Sequence, residues 1–121
     1  MKIAISSDGK SLNDSIDERF GRCRYFVIVD PENLEFDAVG NPGHRAMNGA
    51  GPLAASIIMN MGVQAVVTGK LGPNAHETLK AAGIKVFTGA SGRVRDGINQ
   101  LDQSSLQEAS GPTAPRHGGM K

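Results

Sequence analysis

The chain has 121 residues, a length that suits one domain with a single hydrophobic core. Aromatic residues make up only 4% of the chain and Trp is absent, so the core must consist of aliphatic residues and methionine. The formal net charge of +1 excludes a global field that attracts nucleic acid or an anionic membrane. No apolar stretch approaches the ~20 residues that span a bilayer, and the N-terminal apolar run is too short for a signal peptide. We therefore predict a cytoplasmic protein with no nucleic-acid or membrane partner.

The first 40 residues predict three strands. An apolar run over residues 2–6 predicts a buried strand, and residues 15–20 predict one helical turn closed by Gly21. Aromatic and β-branched residues over 25–29 predict a second strand, and the alternation over 34–39 predicts a third. The connection between the last two strands is short, so we expect them to form an antiparallel hairpin.

The following residues, up to 101, alternate helices with strands. Helices are predicted over residues 52–61, 73–83 and 93–101, and strands over 63–68 and 84–88. Such alternation implies right-handed crossovers and parallel pairing, which gives a mixed sheet with helices packed against it. The side chains expected to face the core from the first two helices are Leu53, Ile57, Ile58, Met61, Leu79 and Ala82.

The C-terminal residues differ in composition from the rest of the chain. Periodicity is lost from Asp102 onward, where Gln, Ser, Gly and Pro dominate. We predict a folded domain over residues 1–101 and a flexible tail over 102–121, with one helical turn near Leu106.

Three glycine-rich loops precede the predicted helices. They contain Gly49 and Gly51, then Gly72 and Asn74, and then residues 89–92. Helix N-termini expose unpaired N–H groups and the positive end of the dipole, and glycine allows a ligand to approach the backbone. The loops therefore predict an anion site at one edge of the sheet, although glycine and proline can equally serve only to form tight turns. None of the loops matches a P-loop or a dinucleotide fingerprint.

Cationic and metal-ligating residues lie near these loops. Arg19, Arg22 and Arg24 flank the only cysteine, Cys23, and a cationic setting would lower the thiol pKa and favour a metal-binding thiolate. The alternative is a small buried thiol with its arginines facing solvent. Among the histidines, His44 is the best ligand candidate because it lies in the long glycine loop. Met47, Met59 and Met61 are soft donors that could bind copper or simply pack.

The order of several short motifs resembles a known family. The motifs are Glu-Arg-Phe-Gly-Arg at 18–22, Asn-Pro at 41–42, Gly-Ala-Gly at 49–51, Gly-Pro-Asn-Ala at 72–75 and Ala-Gly-Ile-Lys-Val at 82–86. In this order they resemble the dinitrogenase iron–molybdenum cofactor biosynthesis family over about residues 1–101. Cys23 departs from the pattern, because family members often have Ala at that position.

The resemblance implies both a fold and a cargo. The implied fold is a ribonuclease H-like three-layer α/β/α domain with a five-stranded mixed sheet of order 3-2-1-4-5. The implied function is non-enzymatic carriage of an anionic metal–sulfur cluster containing molybdenum with copper or iron, as an accessory in nitrogenase cofactor assembly or a related process. One branch of small members includes a protein with a molybdenum–copper sulfide cluster. A carrier of this kind would exchange its cluster with donor or acceptor proteins.

The candidate site combines these observations. Backbone groups near Gly49, Gly51, Gly72 and Asn74 would neutralise part of the cluster charge, together with Arg19, Arg22 and Lys70, and His44 or Cys23 could ligate metal directly. An alternative function is a redox- or metal-responsive protein-interaction module without cluster cargo. An enzyme of the ribonuclease H type has less support, because the body of the first strand carries no carboxylate.

Overall fold

The fold begins with an antiparallel hairpin and continues with alternating helices and strands. A computed structural model describes residues 1–109 of the chain. In chain order the elements are β1 (Ile3–Ser7), β2 (Tyr25–Val29), β3 (Phe36–Gly40), a 3₁₀ helix (Pro42–Arg45), α1 (Ala50–Met59), β4 (Ala65–Val67), α2 (Pro73–Ala81), β5 (Lys85–Thr88), α3 (Val94–Asp102) and β6 (Gln107–Glu108).

All the strands join one sheet of order β3-β2-β1-β4-β5-β6. β1 lies near its centre, parallel to β4 and antiparallel to β2, with Ile3 opposite both Ala65 and Val29. β4 and β5 are parallel, whereas the β2–β3 and β5–β6 pairs are antiparallel. The predicted β2–β3 hairpin and the predicted order of the first five strands are confirmed, and β6 adds a sixth strand at one edge.

Helices cover both faces of the sheet. Alternate strand residues such as Phe26 and Val66 belong to the core cluster that includes residues of α1 and α2. Residues of opposite orientation, such as Ile5 and Val67, form a second cluster with residues of α3. The two-residue period of the strands therefore produces two cores, and the molecule has the predicted three-layer α/β/α arrangement.

The helix faces differ in part from those predicted. α1 begins at Ala50 and buries Ala54, Ala55 and Ile58. Leu53 is 42% exposed, so its predicted inward orientation is wrong. Small residues face α2 because the two helices pack closely, which excludes larger side chains from their contact. In α2, Leu79 is buried as predicted, whereas Ala82, the residue after the end of the helix, is exposed, so its predicted inward orientation is wrong.

Two short predicted turns are also wrong. Residues 15–20 do not form a helical turn, since Ser15, Ile16 and Arg19 form bridges with residues from other parts of the chain. Their backbone groups pair over long sequence separations and are not available for local helical bonds. Near Leu106, the chain forms β6 and not a helical turn. Residues 110–121 of the predicted tail lie outside the described residues, and the domain boundary at 101 stays a prediction.

Residues 8–20, here called the crossing segment, run over the carboxyl ends of β1 and β4. The Asp17 N–H donates to the Ser6 carbonyl at 3.0 Å, and the Lys70 N–H donates to the Glu18 carbonyl at 2.7 Å. Gly69 lies against Glu18 so closely that an added Cβ would be 2.5 Å from the Glu18 Cβ. Gly69 therefore provides the space that lets the crossing segment lie against the sheet.

Candidate site at the helix N-termini

The starts of all three helices lie at one edge of the sheet. β1, β4 and β5 are parallel, so their carboxyl ends share an edge, and α2 and α3 follow the last two of these strands. β3 also ends at this edge. Tyr25 of β2 lies opposite Ser7, the last residue of β1, on one side and opposite Gly40, the last residue of β3, on the other. Carboxyl ends of strands in open α/β sheets are the usual location of ligand sites.

Backbone N–H groups at the start of α3 already donate hydrogen bonds to other parts of the protein. The N–H groups of Val94 and Arg95 donate to the carbonyls of Asp14 and Leu12, each at 2.9 Å. The Asp96 side chain also accepts a hydrogen bond from the Arg93 N–H at 2.9 Å. The crossing segment therefore takes the place that an anion would occupy, and the third glycine loop is not part of the candidate site.

The other two helices begin side by side, at residues 49–51 and 72–75, here called the paired helix starts. Gly51 lies against Ala75, since an added Cβ at Gly51 would be 3.2 Å from the Ala75 Cβ. The N–H groups of Ala50, Gly51, Asn74 and Ala75 donate no hydrogen bond to any other residue within 1–109. Neither helix has a side-chain cap. Two helix dipoles with uncapped N–H groups therefore meet at one place.

The glycines of the paired helix starts have different roles. Gly49 has φ +71° and caps α1, and an added Cβ there would meet no atom within 4 Å. Gly72 also has open space at its Cβ position. Gly51 is different, because its missing side chain is required for the contact with α2. Gly49 and Gly72 therefore leave room for a ligand, whereas Gly51 serves helix packing.

The predicted cationic residues differ in how they are paired. Arg19 donates from Nε and Nη2 to the Asp17 carboxylate at 3.1 and 3.0 Å. Burial alone would raise the pKa of Asp17, but the hydrogen bonds from Arg19 outweigh it and lower the pKa. Lys70 Nζ lies 3.7 Å from Glu18 Oε1. The charges of Arg19 and Lys70 are thus offset by neighbouring carboxylates.

Arg22 keeps its positive charge uncompensated by any carboxylate of residues 1–109. Its Nη1 donates to the carbonyls of Ala46 and, at 3.4 Å, Gly43. These carbonyls belong to the 3₁₀ helix and the loop that leads into α1, and Gly43 lies against Ala50. Arg22 therefore both holds this loop and adds a net charge near the start of α1.

His44 lies in a cavity of about 550 Å³ with Arg24 and Arg45. Its Nδ1 is 2.9 Å from the Arg22 carbonyl, so Nδ1 carries the proton and donates. In the neutral imidazole, the lone pair on Nε2 is then available to a metal. Metal-bound histidines commonly have this tautomer, in which the other ring nitrogen donates to a backbone carbonyl. Arg45 lines the same cavity and immediately follows His44, although no sequence motif singled it out.

Cys23 has the opposite environment from the one predicted. It is fully buried, and burial raises the pKa of its thiol to about 12. The expectation that neighbouring arginines lower this pKa is wrong, because the thiol lies in the core and Arg24 is exposed. An enclosed thiol with a raised pKa is protonated at neutral pH. The alternative of a small buried thiol describes the structure.

The described residues hold no preformed protein metal centre of several ligands. Within 1–109, no group of three or more His, Cys, Asp or Glu could hold a metal ion. Met47 is 94% exposed in the loop before α1, Met59 is 45% exposed, and Met61 packs against a core cluster. Uncapped backbone N–H groups, cationic side chains and one available imidazole are therefore what this end of the molecule offers a ligand.

The layers and sheet order define a three-layer α/β/α fold of the ribonuclease H-like type. A family model described as dinitrogenase iron–molybdenum cofactor matches residues 1–104. An uncharacterized protein of Methanocaldococcus jannaschii is 33% identical over 111 residues, which cover 89% of this chain and 91% of that protein. This chain belongs to the dinitrogenase iron–molybdenum cofactor family.

Two solved structures are similar over nearly the whole chain. The apo form of the orange protein from Desulfovibrio gigas has a TM-score of 0.88 and 34% identity, with 93% of this chain and 95% of that one covered. A NifB-like protein of Thermotoga from the DUF35 family has a TM-score of 0.82 and 36% identity, with 97% and 98% covered. These relationships support a cofactor-related, accessory role. No helix among residues 1–109 has the length and apolar character to cross a membrane.

Proposed function

We propose that this chain is a non-enzymatic carrier of an anionic metal–sulfur cluster that binds at the paired helix starts. The observation that carries the proposal is the meeting of two uncapped helix N-termini at Gly51 and Ala75. Four N–H groups there lack an acceptor within 1–109, and the positive dipole ends favour an anion. Family membership and the similarity to the orange protein support a cluster as the anion.

The side chains around the paired helix starts suit an anionic sulfide cluster. Arg22 supplies a positive charge where it contacts the loop before α1. His44 lies in the cavity with Arg24 and Arg45, whose lining includes no residue of the paired helix starts, and we propose it as a metal ligand through Nε2 from that side. Most of these groups are hydrogen-bond donors and cations, which suit sulfide at the surface of a cluster without covalent attachment. We therefore favour a molybdenum-containing cluster with copper or iron, held mainly by charge and N–H groups.

Binding by charge and N–H groups suits transfer of the cluster between proteins. A cluster bound by several weak contacts leaves without breaking a full set of metal–ligand bonds. We accordingly propose that donor and acceptor proteins meet the chain at the exposed loop 46–49, which contains the exposed Met47.

A matched pair of variants tests the site. Gly72→Glu places a negative charge at the start of α2, whereas Ala82→Glu places the same charge on an exposed residue just after the end of that helix. The apo protein is incubated anaerobically with thiomolybdate and copper, or with iron–sulfur donors, and then passed through gel filtration. The wild type and Ala82→Glu should retain a visible charge-transfer band and metal, and Gly72→Glu should retain about tenfold less because like charges repel.

Two results would contradict the proposal. One is that no metal from either donor mixture stays with the wild-type protein. The other is equal retention by Gly72→Glu and Ala82→Glu, which would locate the cluster away from the paired helix starts. In the same assay, His44→Gln reports on direct ligation through a shift of the band, and retention without any shift would leave His44 outside the metal coordination sphere.

A further inference from the structure

A separate cavity lies between α2 and the β5–β6 edge of the sheet. Its volume is about 420 Å³, and none of its lining residues belongs to the paired helix starts. The polar lining consists of His76 and Lys80 from α2, Lys85 from β5 and Glu108 from β6. Apolar and backbone surface from Gly83, Ile84, Val86 and Ala109 completes the walls. The carrier function proposed above uses none of these residues.

His76 is the buried polar group of this cavity. It is only 9% exposed, and its imidazole forms no hydrogen bond or ion pair with another residue in the described part of the chain. An imidazole carries at least one N–H donor. Because the His76 side chain lines the cavity, this N–H can donate to a ligand that enters it.

The charged side chains around His76 favour an anionic partner. Lys80 follows His76 by four residues, so the two side chains lie on the same face of α2. Lys85 lines the cavity from the first residue of β5. Over residues 1–109, neither lysine comes within ion-pair distance of a carboxylate. Two lysine charges and an imidazole donor therefore face one opposing carboxylate, Glu108.

We propose that this cavity binds a phosphoryl group, either as free phosphate or as a phosphate monoester. The His76 imidazole donates a hydrogen bond to a phosphoryl oxygen, and Lys80 and Lys85 supply point charges. The apolar surface of Ile84 and Val86 lies beside the organic part of a monoester. Glu108 weakens the binding by repulsion. The site is independent of cluster binding at the paired helix starts.

Titration of the full chain tests the proposal with inorganic phosphate and with phenyl phosphate, at ionic strength held constant with chloride. Binding is measured by calorimetry and by the ¹H–¹⁵N signals of the His76 imidazole. These signals should shift saturably. Lys80→Gln and Lys85→Gln should each weaken binding about fivefold, as expected for a partly exposed charge contact, whereas Glu108→Gln should strengthen it. Lys2→Gln removes one charge from an exposed site elsewhere and should leave the affinity unchanged.

The two probes separate the two ligand sources. Tighter binding of phenyl phosphate identifies a monoester site that uses the apolar walls, and equal affinities identify a site for free phosphate. Non-saturating shifts, or equal effects of Lys85→Gln and Lys2→Gln, would overturn the proposal. The lysine variants change exposed residues, so the test does not depend on whether a His76 variant folds. Gly72→Glu should bind phosphate normally, so loss of cluster retention and loss of phosphate binding are distinguishable.

Discussion

The Cys23 thiol packs inside the core, with Sγ 3.4 Å from the Phe20 carbonyl oxygen. Asn41 Nδ2 lies 3.6 Å from the same sulfur and also donates to the Cys23 carbonyl at 2.8 Å. This position joins the residues before β2 to the start of the 3₁₀ helix. At the scale of single residues, Cys23 and Asn41 thus stabilise the loop that carries His44.

The raised thiol pKa predicts a loss of stability at high pH. The thiol ionises near its ordinary pKa of 9.0 in the unfolded chain and near 12 in the folded one. Between these values only the unfolded state releases the proton, so the free energy of unfolding should fall by about 1.4 kcal/mol per pH unit. Below pH 9 the thiol contributes no pH dependence. Urea unfolding of the wild type and of Cys23→Ala from pH 8 to about 11 measures the difference.

Cys23→Ala serves as the control because it keeps every other titrating group. The free energy of unfolding of the wild type should fall more steeply with pH than that of the variant. Parallel pH profiles for the two proteins would show that the thiol ionises equally in both states. Cys23→Ala should also retain the cluster. Loss of the cluster from a folded Cys23→Ala protein would indicate that Cys23 is a metal ligand.

At the scale of elements, the contact between α1 and α2 depends on small residues. Gly51 meets Ala75, and Gly21 lies beside the Gly51 backbone, where an added Cβ would be 3.1 Å from the Gly51 nitrogen. These close approaches bring the two helix N-termini together. The geometry of the candidate site is therefore a consequence of helix packing.

Gly51→Ala is expected to destabilise the protein by about 1 kcal/mol. The new methyl group presses on Ala75, and the cost of overpacking exceeds what Ala gains over Gly in a helix. Gly72→Ala adds a methyl group in open space at the start of α2 and should change stability little. Urea unfolding of both variants measures the difference, and a more stable Gly51→Ala would show that the helices can move apart freely.

At the scale of the whole molecule, the sheet is protected unevenly. Every residue of β1 and of β4 is buried, and helices cover both faces of these strands. β3 lies at one edge with most of its residues exposed, and Phe36 is 44% exposed. β6 forms the other edge with only two residues, both exposed.

Native-state hydrogen exchange should reproduce this gradient. Amide protons of β1 and β4 should exchange only through global unfolding, and those of β6 and the outer side of β3 should exchange through local opening at much lower free energy. Exchange rates measured by NMR at increasing denaturant separate the two classes. Equal protection of β6 and β1 would mean that residues 107–108 belong to the cooperative core.

The amino-acid sequence alone determined the main elements of the fold. β-branched runs placed the strands, proline and glycine placed the ends of α2, and the short link at 30–33 predicted the β2–β3 hairpin. These features depend on residues close together in the chain, where backbone preference and side-chain period act. The sheet order followed from the family motifs, and the grouping of helix starts at one edge followed from the alternation of strands and helices.

Only the tertiary structure decided which predicted site residues remain available to a ligand. The Asp14 carbonyl accepts a hydrogen bond from the Val94 N–H at the start of α3, although it lies 80 residues earlier in the chain. The Asp17 carboxylate offsets the charge of Arg19, and the core encloses Cys23. The cavity at His76 also depends on β6, which periodicity did not predict. In each case the partners are brought together by the sheet. Local sequence patterns therefore locate the glycine loops, but the hydrogen-bond partners and burial that come with folding determine which loop can bind an anion.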